Sequence, residues 1–224
     1  SVEDYCLFLK IKSLPVYRFT GRTAYFPDEY ADRIGVPVKQ AKQTKYTPID
    51  GLFDYQRDIA KLAIRKERFA AFVEPGYGKT LIGAEFARHA LANMPKDKCL
   101  LWVAPLMVVK QTVSELNKFY HGEHTPEIVR SAKLPQWLAS GGRFAITHYE
   151  AIVDGLPSDR IGGIVLDESS LLKSHYGAWG TRLIEMGKGK RWKLCLTGTP
   201  APNDRIEYAN HAIFLDRFPT VNSF

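Results

Sequence analysis

The chain has 224 residues, 45% hydrophobic and 12% aromatic, so we expect a packed core and not a disordered polymer. Its 31 Lys and Arg against 24 Asp and Glu give a net charge of +7, which permits a polyanionic partner such as nucleic acid without requiring one. The three cysteines show no paired spacing, and the longest apolar stretch is too short to span a bilayer. These features argue against a disulfide-stabilised secreted scaffold and a transmembrane protein, and we expect a soluble intracellular chain.

Residues 1–50 differ in pattern from the rest and predict a small α+β appendage. Two aromatic-rich runs, 16–19 and 23–26, flank Gly21 and predict a hairpin, and residues 28–34 predict a short helix. Arginine and aromatic side chains alternate here in a way that could stack on nucleic-acid bases. We favour the plainer interpretation, in which the hairpin packs its aromatic rings against a neighbouring domain.

From residue 51 onward, short apolar runs alternate with amphipathic stretches. The strand candidates are residues 69–73, 99–104, 127–130, 144–147, 161–166 and 193–197, and the helix candidates are residues 81–93, 108–120, 149–154, 178–186 and 205–214. This alternation predicts a doubly wound α/β domain with a mostly parallel sheet, whose ligands lie beyond the carboxyl ends of the strands. We therefore predict two domains, an accessory segment over residues 1–50 and the α/β domain over residues 51–224.

A glycine-rich turn joins the first predicted strand of this α/β domain to the next helix. Its sequence is Glu74-Pro75-Gly76-Tyr77-Gly78-Lys79-Thr80. Backbone N–H groups of such a turn, together with the positive end of the helix dipole, bind phosphate oxygens. We expect Lys79 to reach the β- and γ-phosphates of a nucleotide and Thr80 to coordinate Mg²⁺. The usual motif begins with a glycine where this chain has Val73, so the match is incomplete.

An acidic pair follows the predicted strand 161–166. We expect Asp167 to hold Mg²⁺ and Glu168 to polarise the attacking water, because a divalent cation relieves the repulsion between two carboxylates at one strand end. Alone, an acidic pair is a weak indication, since acidic residues commonly cap helices. Its occurrence with Lys79 and Thr80 in one sheet makes nucleotide hydrolysis the favoured interpretation.

Two further groups of polar residues suit the same chemistry. Gln56 begins a helical pattern, and its amide could both donate to and accept from the N6 and N7 atoms of adenine. Thr197 and Thr199 flank Gly198 after the last predicted strand, and their hydroxyls could hydrogen-bond the acidic pair and relay its state to a neighbouring domain. Taken separately, an ordinary first helical turn and an ordinary threonine-rich turn explain these residues at least as well.

The order of these motifs resembles that of the Swi/Snf-type ATPases of helicase superfamily 2. The shared positions are Tyr55-Gln56, residues 74–80, 103–106, 146–150 and 166–168, Lys173, residues 196–200 and Asn203. The resemblance covers roughly residues 52–224, and within the family the chain looks like the short members encoded by phages and bacteria. It implies the N-terminal RecA-like lobe of a motor that uses ATP and Mg²⁺ on double-stranded DNA, in the cytoplasm of a bacterial or phage-infected cell.

The resemblance also implies roles for individual residues. The nucleotide and its metal would be bound by Phe53, Tyr55, Gln56, Pro75, Gly76, Tyr77, Gly78, Lys79 and Thr80. The catalytic residues would be Lys79, Asp167 and Glu168, with Thr80 and Asp167 as metal ligands. The DNA would be contacted by Pro105, Lys110, Thr147, His148, Tyr149 and Lys173. The residues that couple nucleotide to DNA would be Ser170, Thr197 and Thr199.

The sequence departs from the family pattern in three places. Val73 replaces a small or acidic residue. Ser169-Ser170 stand where the family usually has Ala-His, so a histidine contact between hydrolysis and DNA binding is missing or replaced by a hydroxyl. The family's second lobe, whose arginine fingers are worth about 10³–10⁵ in turnover, does not appear before Phe224. We therefore expect the chain alone to bind nucleotide weakly and hydrolyse it very slowly, and to need a second RecA-like lobe in cis or in trans.

Two other functions remain open at this point. One is a degenerate motor lobe that docks on DNA or protein as a regulatory module without hydrolysis, which Ser169-Ser170 supports and an intact Lys79 and Glu168 oppose. The other is a restriction-enzyme motor of the same superfamily, which needs a nuclease domain, and the sequence contains no metal-dependent nuclease motif. We interpret residues 121–124 (His-Gly-Glu-His) and 188–191 (Lys-Gly-Lys-Arg) as solvated loops instead of a metal site and a nucleic-acid patch.

Overall fold

The computed structural model describes residues 4–15, 17–26, 30–37, 45–173, 178–202 and 207–218. It divides the chain into two units, Ser1–Thr44 and Lys45–Phe224. The domain boundary after residue 50 stays a prediction. Among the residues that the structure describes, none of the helices has the length and apolar composition of a membrane span.

The first unit is built from a two-stranded hairpin and two short helices. Its elements are helix α1 (Tyr5–Lys12), strands β1 (Arg18–Thr20) and β2 (Thr23–Tyr25), and helix α2 (Ala31–Ile34). The strands pair antiparallel on either side of Gly21, whose φ of +58° suits a tight turn. Phe19 and Ala24 pack against the buried side chains of Ile11 and Ile34. The predicted hairpin is confirmed, and it covers a small core of its own.

Helix α1 is not among the predicted elements. Its N-cap is Asp4, whose carboxylate accepts a hydrogen bond from Cys6 N at 2.8 Å.

Several positions of the predicted strands and helices lie outside the described part of the chain, namely residues 16, 28, 29, 205 and 206.

The second unit is a six-stranded sheet flanked by helices. Its strands are β3 (Arg68–Phe72), β4 (Cys99–Ala104), β5 (Glu127–Ile128), β6 (Phe144–His148), β7 (Ile161–Asp167) and β8 (Trp192–Thr197), in the spatial order β3-β8-β7-β4-β6-β5. Its helices are α3 (Asp54–Lys66), α4 (Lys79–Asn93), α5 (Val109–Tyr120), α6 (Leu134–Ser140), α7 (Ala178–Gly187) and α8 (Glu207–Phe214). Every neighbouring strand pair is parallel, so the predicted doubly wound α/β fold is confirmed.

Strand β4 lies inside the sheet and is buried along its whole length. Because side chains alternate along a strand, Leu100 and Trp102 join the core on one face of the sheet, and Leu101 and Val103 join the core on the other. Burial on both faces is the reason that this strand reads as an uninterrupted apolar run in the sequence.

Two segments differ from the predicted helices. Residues 149–154 form only the short 3-10 turn Tyr149–Ala151, because Tyr149 and Ile152 both turn into the core and Gly155 takes a φ of +74°. Helix α6 is absent from the predicted elements, since its seven residues are too few for a clear helical period.

A buried carboxylate ties α4 to the segment that precedes α3. Glu85 is fully buried, accepts hydrogen bonds from the hydroxyls of Tyr46 (2.6 Å) and Tyr120 (2.8 Å), and pairs with Arg88 at 2.8 Å. Arg88 also donates to the carbonyl of Thr47 at 2.7 Å. Burial opposes the charge on Glu85, but hydrogen bonds from Arg88 and the two tyrosines outweigh it and lower the pKa of Glu85. The helix that begins at the glycine-rich turn is therefore anchored at its middle turn, through Glu85 and Arg88.

Candidate nucleotide site

The phosphate loop, residues 73–78, connects β3 to the first turn of α4. Gly76 and Gly78 take φ values of +86° and +71°, which glycine adopts without strain. A Cβ at Gly78 would lie 2.2 Å from Gln56 Nε2, whereas a Cβ at Gly76 would have no neighbour within 4 Å. The loop thus places left-handed glycines directly before a helix N-terminus, the arrangement that suits a bound phosphate.

Lys79, the first residue of α4 after the phosphate loop, pairs with the carboxylate of Glu168. Lys79 Nζ lies 3.3 Å from Glu168 Oε1, and the Lys79 side chain is only 11% exposed. On the other side, a Cβ at Gly198 would lie 3.4 Å from Lys79 Nζ and 2.7 Å from Pro75 Cδ. Residues that follow β3, β7 and β8 therefore meet around one amino group, as expected from neighbouring parallel strands.

The acid turn, residues 167–169, has an unusual backbone. Glu168 takes a φ of +49°, a conformation that costs a non-glycine residue about 1–3 kcal/mol and persists only where its surroundings fix it. Glu168 N donates to Asp167 Oδ1 at 3.1 Å, and the buried hydroxyl of Tyr149 donates to the carbonyl of Asp167 at 2.8 Å. Both contacts hold the turn in place.

The electrostatics of the acid turn suit a bound cation. Burial, followed by the neighbouring Glu168 carboxylate, raises the pKa of Asp167 to about 6, and Lys79 opposes that rise. A divalent cation would relieve the same unfavourable charge. The Asp167 carboxylate and the Thr80 hydroxyl supply the hard oxygen donors that Mg²⁺ prefers. These residues therefore fit the metal that the phosphate loop implies.

The threonine turn, residues 197–200, contacts the acid turn. Thr197 Oγ1 donates to Glu168 Oε2 at 3.4 Å, and Thr199 N donates to Thr197 Oγ1 at 3.1 Å. The carbonyl of Thr197 also accepts a hydrogen bond from Val73 N at 3.0 Å. Thr197 thus touches both the phosphate loop and the acid turn, whereas Thr199 takes part through its backbone.

Gln56 lies against the phosphate loop. It is 3% exposed, its Oε1 accepts from Phe53 N at 3.1 Å, and its Nε2 donates to the carbonyl of Tyr77 at 3.3 Å. The hydroxyl of Tyr55 donates to the same carbonyl at 3.1 Å. Phe53 is 66% exposed and stacks on Tyr55 with ring centroids 5.8 Å apart. Both ends of the Gln56 amide are therefore hydrogen-bonded within the protein. The stacked rings of Phe53 and Tyr55 present a flat surface beside the phosphate loop.

The residues implied to contact DNA divide into exposed and buried groups. Lys110 is exposed after β4, and His148 is half-buried at the end of β6, with its Nε2 3.0 Å from Ser131 Oγ. Thr147 and Tyr149 are buried, and the hydroxyl of Thr147 donates to the carbonyl of Val129 at 2.7 Å.

Three other residues to which the resemblance assigns DNA contact or coupling lie near the same edge of the sheet in the chain. Pro105 and Ser170 are half-buried at the ends of β4 and β7, and the side chain of Lys173 lies outside the described part of the chain. The side chains available at this edge are therefore chiefly those of Lys110 and His148.

Sequence reasoning missed a histidine behind the acid turn. Ser169 is fully buried, and its Oγ lies 3.0 Å from Nε2 of His211, a buried residue of α8. The sequence offers only a faint signal for this pair, a histidine among the apolar positions of a predicted helix. The two residues are 42 positions apart, so their contact depends on where α8 packs.

Residues 121–124 and 188–191, which the sequence predicts to be solvated loops, lie outside the regular helices and strands of the sheet. Residues 121–124 are exposed, and the described part of the chain holds no cluster of three or more His, Cys, Asp or Glu side chains that could bind a metal. In the 188–191 loop, Lys190 donates to the carbonyl of Ser158 at 2.9 Å and Arg191 pairs with Glu67. These cations hold the amino end of the sheet together, away from the phosphate loop.

Comparison with known proteins identifies the family. Residues 50–201 match the family model described as "Type III restriction enzyme, res subunit". The mouse (Mus musculus) protein described as "DNA annealing helicase and endonuclease ZRANB3" is 27% identical over 194 residues, covering 78% of this chain and 18% of that protein. The chain thus spans less than a fifth of the length of this curated relative.

Solved structures share the fold at low identity. The Sulfolobus solfataricus SWI2/SNF2 ATPase core in complex with dsDNA aligns with a TM-score of 0.65 and 19% identity, over 83% of this chain and 40% of that one. The UvsW helicase of bacteriophage T4 aligns with a TM-score of 0.55 and 16% identity, over 82% and 73% of the two chains. The chain therefore belongs to the family whose model it matches over residues 50–201, and it shares its fold with the SWI2/SNF2 and UvsW structures.

Proposed function

We propose that this lobe binds ATP with Mg²⁺ and powers translocation along double-stranded DNA once a second RecA-like lobe completes the site. The observation that supports this most strongly is the 3.3 Å contact between Lys79 and Glu168. It brings the cation suited to bind phosphate next to the carboxylate suited to orient water. A structural salt bridge alone does not require the left-handed Gly76 and Gly78 beside it.

Each side chain of the site has a distinct task in this proposal. Lys79 exchanges its contact with Glu168 for the β- and γ-phosphates, because a triphosphate offers more negative charge than one carboxylate. Glu168, released from Lys79 and still held by Thr197, accepts a hydrogen bond from the attacking water. Asp167 and Thr80 hold Mg²⁺, which supplies charge neutralisation at the phosphate oxygens.

The base is held by the exposed aromatic pair next to the loop. Phe53 and Tyr55 present a flat surface on which adenine stacks. Gln56 reads the base edge by exchanging its contact with the Tyr77 carbonyl, which lies 3.3 Å from Nε2. This exchange makes base binding and the shape of the phosphate loop interdependent.

DNA lies along the edge formed by the loops after β4 and β6. Lys110 and His148 supply the cationic and polar contacts, with Pro105 alongside, and the buried Thr147 and Tyr149 support this edge from within. Lys173, by its motif position, is proposed to contribute a further cation. Phosphate contacts dominate such binding, so the affinity falls steeply with salt and depends little on sequence.

The test measures ATP turnover with and without double-stranded DNA, first for this chain and then for the chain supplied with a second RecA-like lobe. We expect very slow turnover by the chain alone and DNA-stimulated turnover when both lobes are present, because arginine fingers contribute about 10³–10⁵. Robust stimulation without a second lobe would refute the need for it. Turnover that survives Glu168→Gln would remove Glu168 from its role.

The alternative is a lobe that docks on DNA or protein and does not hydrolyse ATP. Its support is Ser169-Ser170, in place of the family's usual pair. ATP binding with salt-sensitive DNA binding but no turnover in the two-lobe protein would favour this alternative.

A further inference from the structure

One buried side chain contacts both halves of the nucleotide site from behind. His211 of α8 is 3% exposed, and its Nε2 lies 3.0 Å from the buried Oγ of Ser169. Its ring also packs edge-on against Phe72, with ring centroids 5.4 Å apart. Ser169 directly follows Glu168, and Phe72 is the last residue before the phosphate loop. His211 therefore joins the acid turn to the strand that carries the phosphate loop.

The acid turn needs support at this point. Glu168 has a φ of +49°, which a non-glycine residue keeps only when its neighbours fix it. On one side, the Asp167 carbonyl is held by the hydroxyl of Tyr149. On the other side, the next polar group is the hydroxyl of Ser169, which is fully buried. The contact between Ser169 and His211 is thus the side-chain anchor where the turn leads into residues 169–173, next to the backbone bond from Leu171 N to the carbonyl of Glu168 at 3.0 Å.

The state of the histidine suits this role. Burial lowers the pKa of His211, so the ring is neutral at physiological pH. A neutral imidazole can exchange one hydrogen bond with a buried hydroxyl without placing a charge beside Asp167 and Glu168.

We propose that His211 is a positioning residue that acts through Ser169 to hold Asp167 and Glu168 in the orientation that binds Mg²⁺. It touches neither nucleotide nor metal. The inference rests on the proposed function, because it assigns His211 to the same site. It adds α8 to the elements that determine how well the acid turn holds the ion.

The experiment compares the affinity of this chain for a fluorescent ATP analogue with and without Mg²⁺. Removing the contact from either side, by Ser169→Ala or His211→Leu, should reduce the Mg²⁺-dependent gain in affinity about 10-fold, as is typical for residues that orient metal ligands. His211→Gln keeps a donor and an acceptor and should retain most of the gain. Affinity without Mg²⁺ should stay unchanged in all variants.

A double variant separates positioning from general damage. If the two residues act as one unit, Ser169→Ala combined with His211→Leu should cost no more Mg²⁺-dependent affinity than either change alone. A purely structural histidine would lower the thermal midpoint and leave the ratio of the two affinities unchanged, and that result would overturn the inference. The same holds if wild type binds the analogue equally with and without Mg²⁺. A wild-type chain that binds no nucleotide at all would overturn the proposed function, and the inference with it.

Discussion

The hydroxyl of Tyr149 donates a 2.8 Å hydrogen bond to the backbone carbonyl of Asp167, and both residues are buried. Tyr149 follows β6 and Asp167 ends β7, and these strands are not neighbours, because β4 lies between them. The bond therefore crosses β4 at the carboxyl edge of the sheet. It joins the loop that we propose to contact DNA to the turn that we propose to hold Mg²⁺.

Tyr149→Phe should destabilise the fold by about 1–3 kcal/mol, because it leaves the buried carbonyl of Asp167 without its donor. Equilibrium denaturation measures this loss. The matched control is Tyr55→Phe, which removes a 3.1 Å bond to a carbonyl at an exposed site and should cost about 0.5 kcal/mol or less. Equal losses in both variants would contradict the importance of the buried bond.

Asp216→Asn should destabilise the fold by about 3–5 kcal/mol, the cost of leaving a buried charge without its partner. Lys193 is fully buried in β8, and its Nζ lies 2.8 Å from Asp216 and 2.6 Å from the carbonyl of Phe214. The control Asp97→Asn removes the exposed partner of Lys98 and should change the free energy of unfolding by less than about 1 kcal/mol.

Replacing both charges gives a further check of the same pair. Lys193→Met combined with Asp216→Asn removes the buried charge together with its partner and should recover much of the lost stability. Asp216 also pairs with Arg68 at 3.0 Å and accepts a hydrogen bond from Gly189 N at 3.1 Å. A double variant as unstable as Asp216→Asn alone would therefore assign the loss to these other partners and not to the buried charge of Lys193.

Gly83→Ala should destabilise the fold by about 1–3 kcal/mol, although alanine is the better helix former. A Cβ at this position of α4 would lie 2.6 Å from Trp102 Cη2 and 2.7 Å from Leu196 Cδ1. Thermal unfolding in a Trp102→Phe background provides the control, because the smaller ring removes one of the two clashes. The cost of Gly83→Ala should fall there, and an unchanged cost would argue against close packing of α4 on the sheet.

Glu168→Gln should abolish turnover of the two-lobe protein and strengthen ATP binding several-fold. The change removes the negative charge that lies 3.3 Å from Lys79 Nζ and would repel the phosphates. A nucleotide titration of the lobe measures the affinity, with Glu123→Gln, a change in an exposed loop, as the control. Weaker binding by Glu168→Gln would mean that Glu168 holds Lys79 ready for ATP and does not compete with it.

His89 should make a contribution to stability that rises with pH up to about 6.5, where an unfolded histidine loses its proton. Burial, followed by the charge of Arg88, lowers the pKa of His89 in the folded state. An unfolded histidine titrates near ~6.5. Below that pH the unfolded chain binds a proton that the folded chain does not, so acid favours unfolding until the folded pKa is reached. His89→Phe should reduce this slope in denaturation midpoints, and an unchanged slope would assign the effect to other groups.

Much of the site could be predicted from the sequence because its residues follow strands. Lys79, Glu168 and Thr197 each come soon after an apolar run, and the carboxyl ends of parallel strands meet at one edge of the sheet. The contact of His211 with Ser169 could not be predicted, since it depends on the packing of α8 across 42 positions.

The direction in which side chains point at the end of β6 could not be predicted from the sequence either. Thr147 precedes the turn after β6, and motif position alone implied a contact with DNA. Its hydroxyl instead donates to the carbonyl of Val129 in the interior. A strand pattern predicts that side chains alternate between the two faces of the sheet. Where helices cover both faces, the pattern does not tell whether a side chain near the strand end reaches solvent.

The most direct test of the central claim is the dissociation constant of a fluorescent ATP analogue with Mg²⁺, measured for wild type, Lys79→Ala and Lys96→Ala. Lys79 lies 3.3 Å from Glu168 at the phosphate loop, whereas Lys96 is exposed after α4. We predict that Lys79→Ala weakens binding at least about 10-fold, the loss expected for one charge-assisted contact, and that Lys96→Ala does not. Equal affinities for wild type and Lys79→Ala would contradict the proposed nucleotide site.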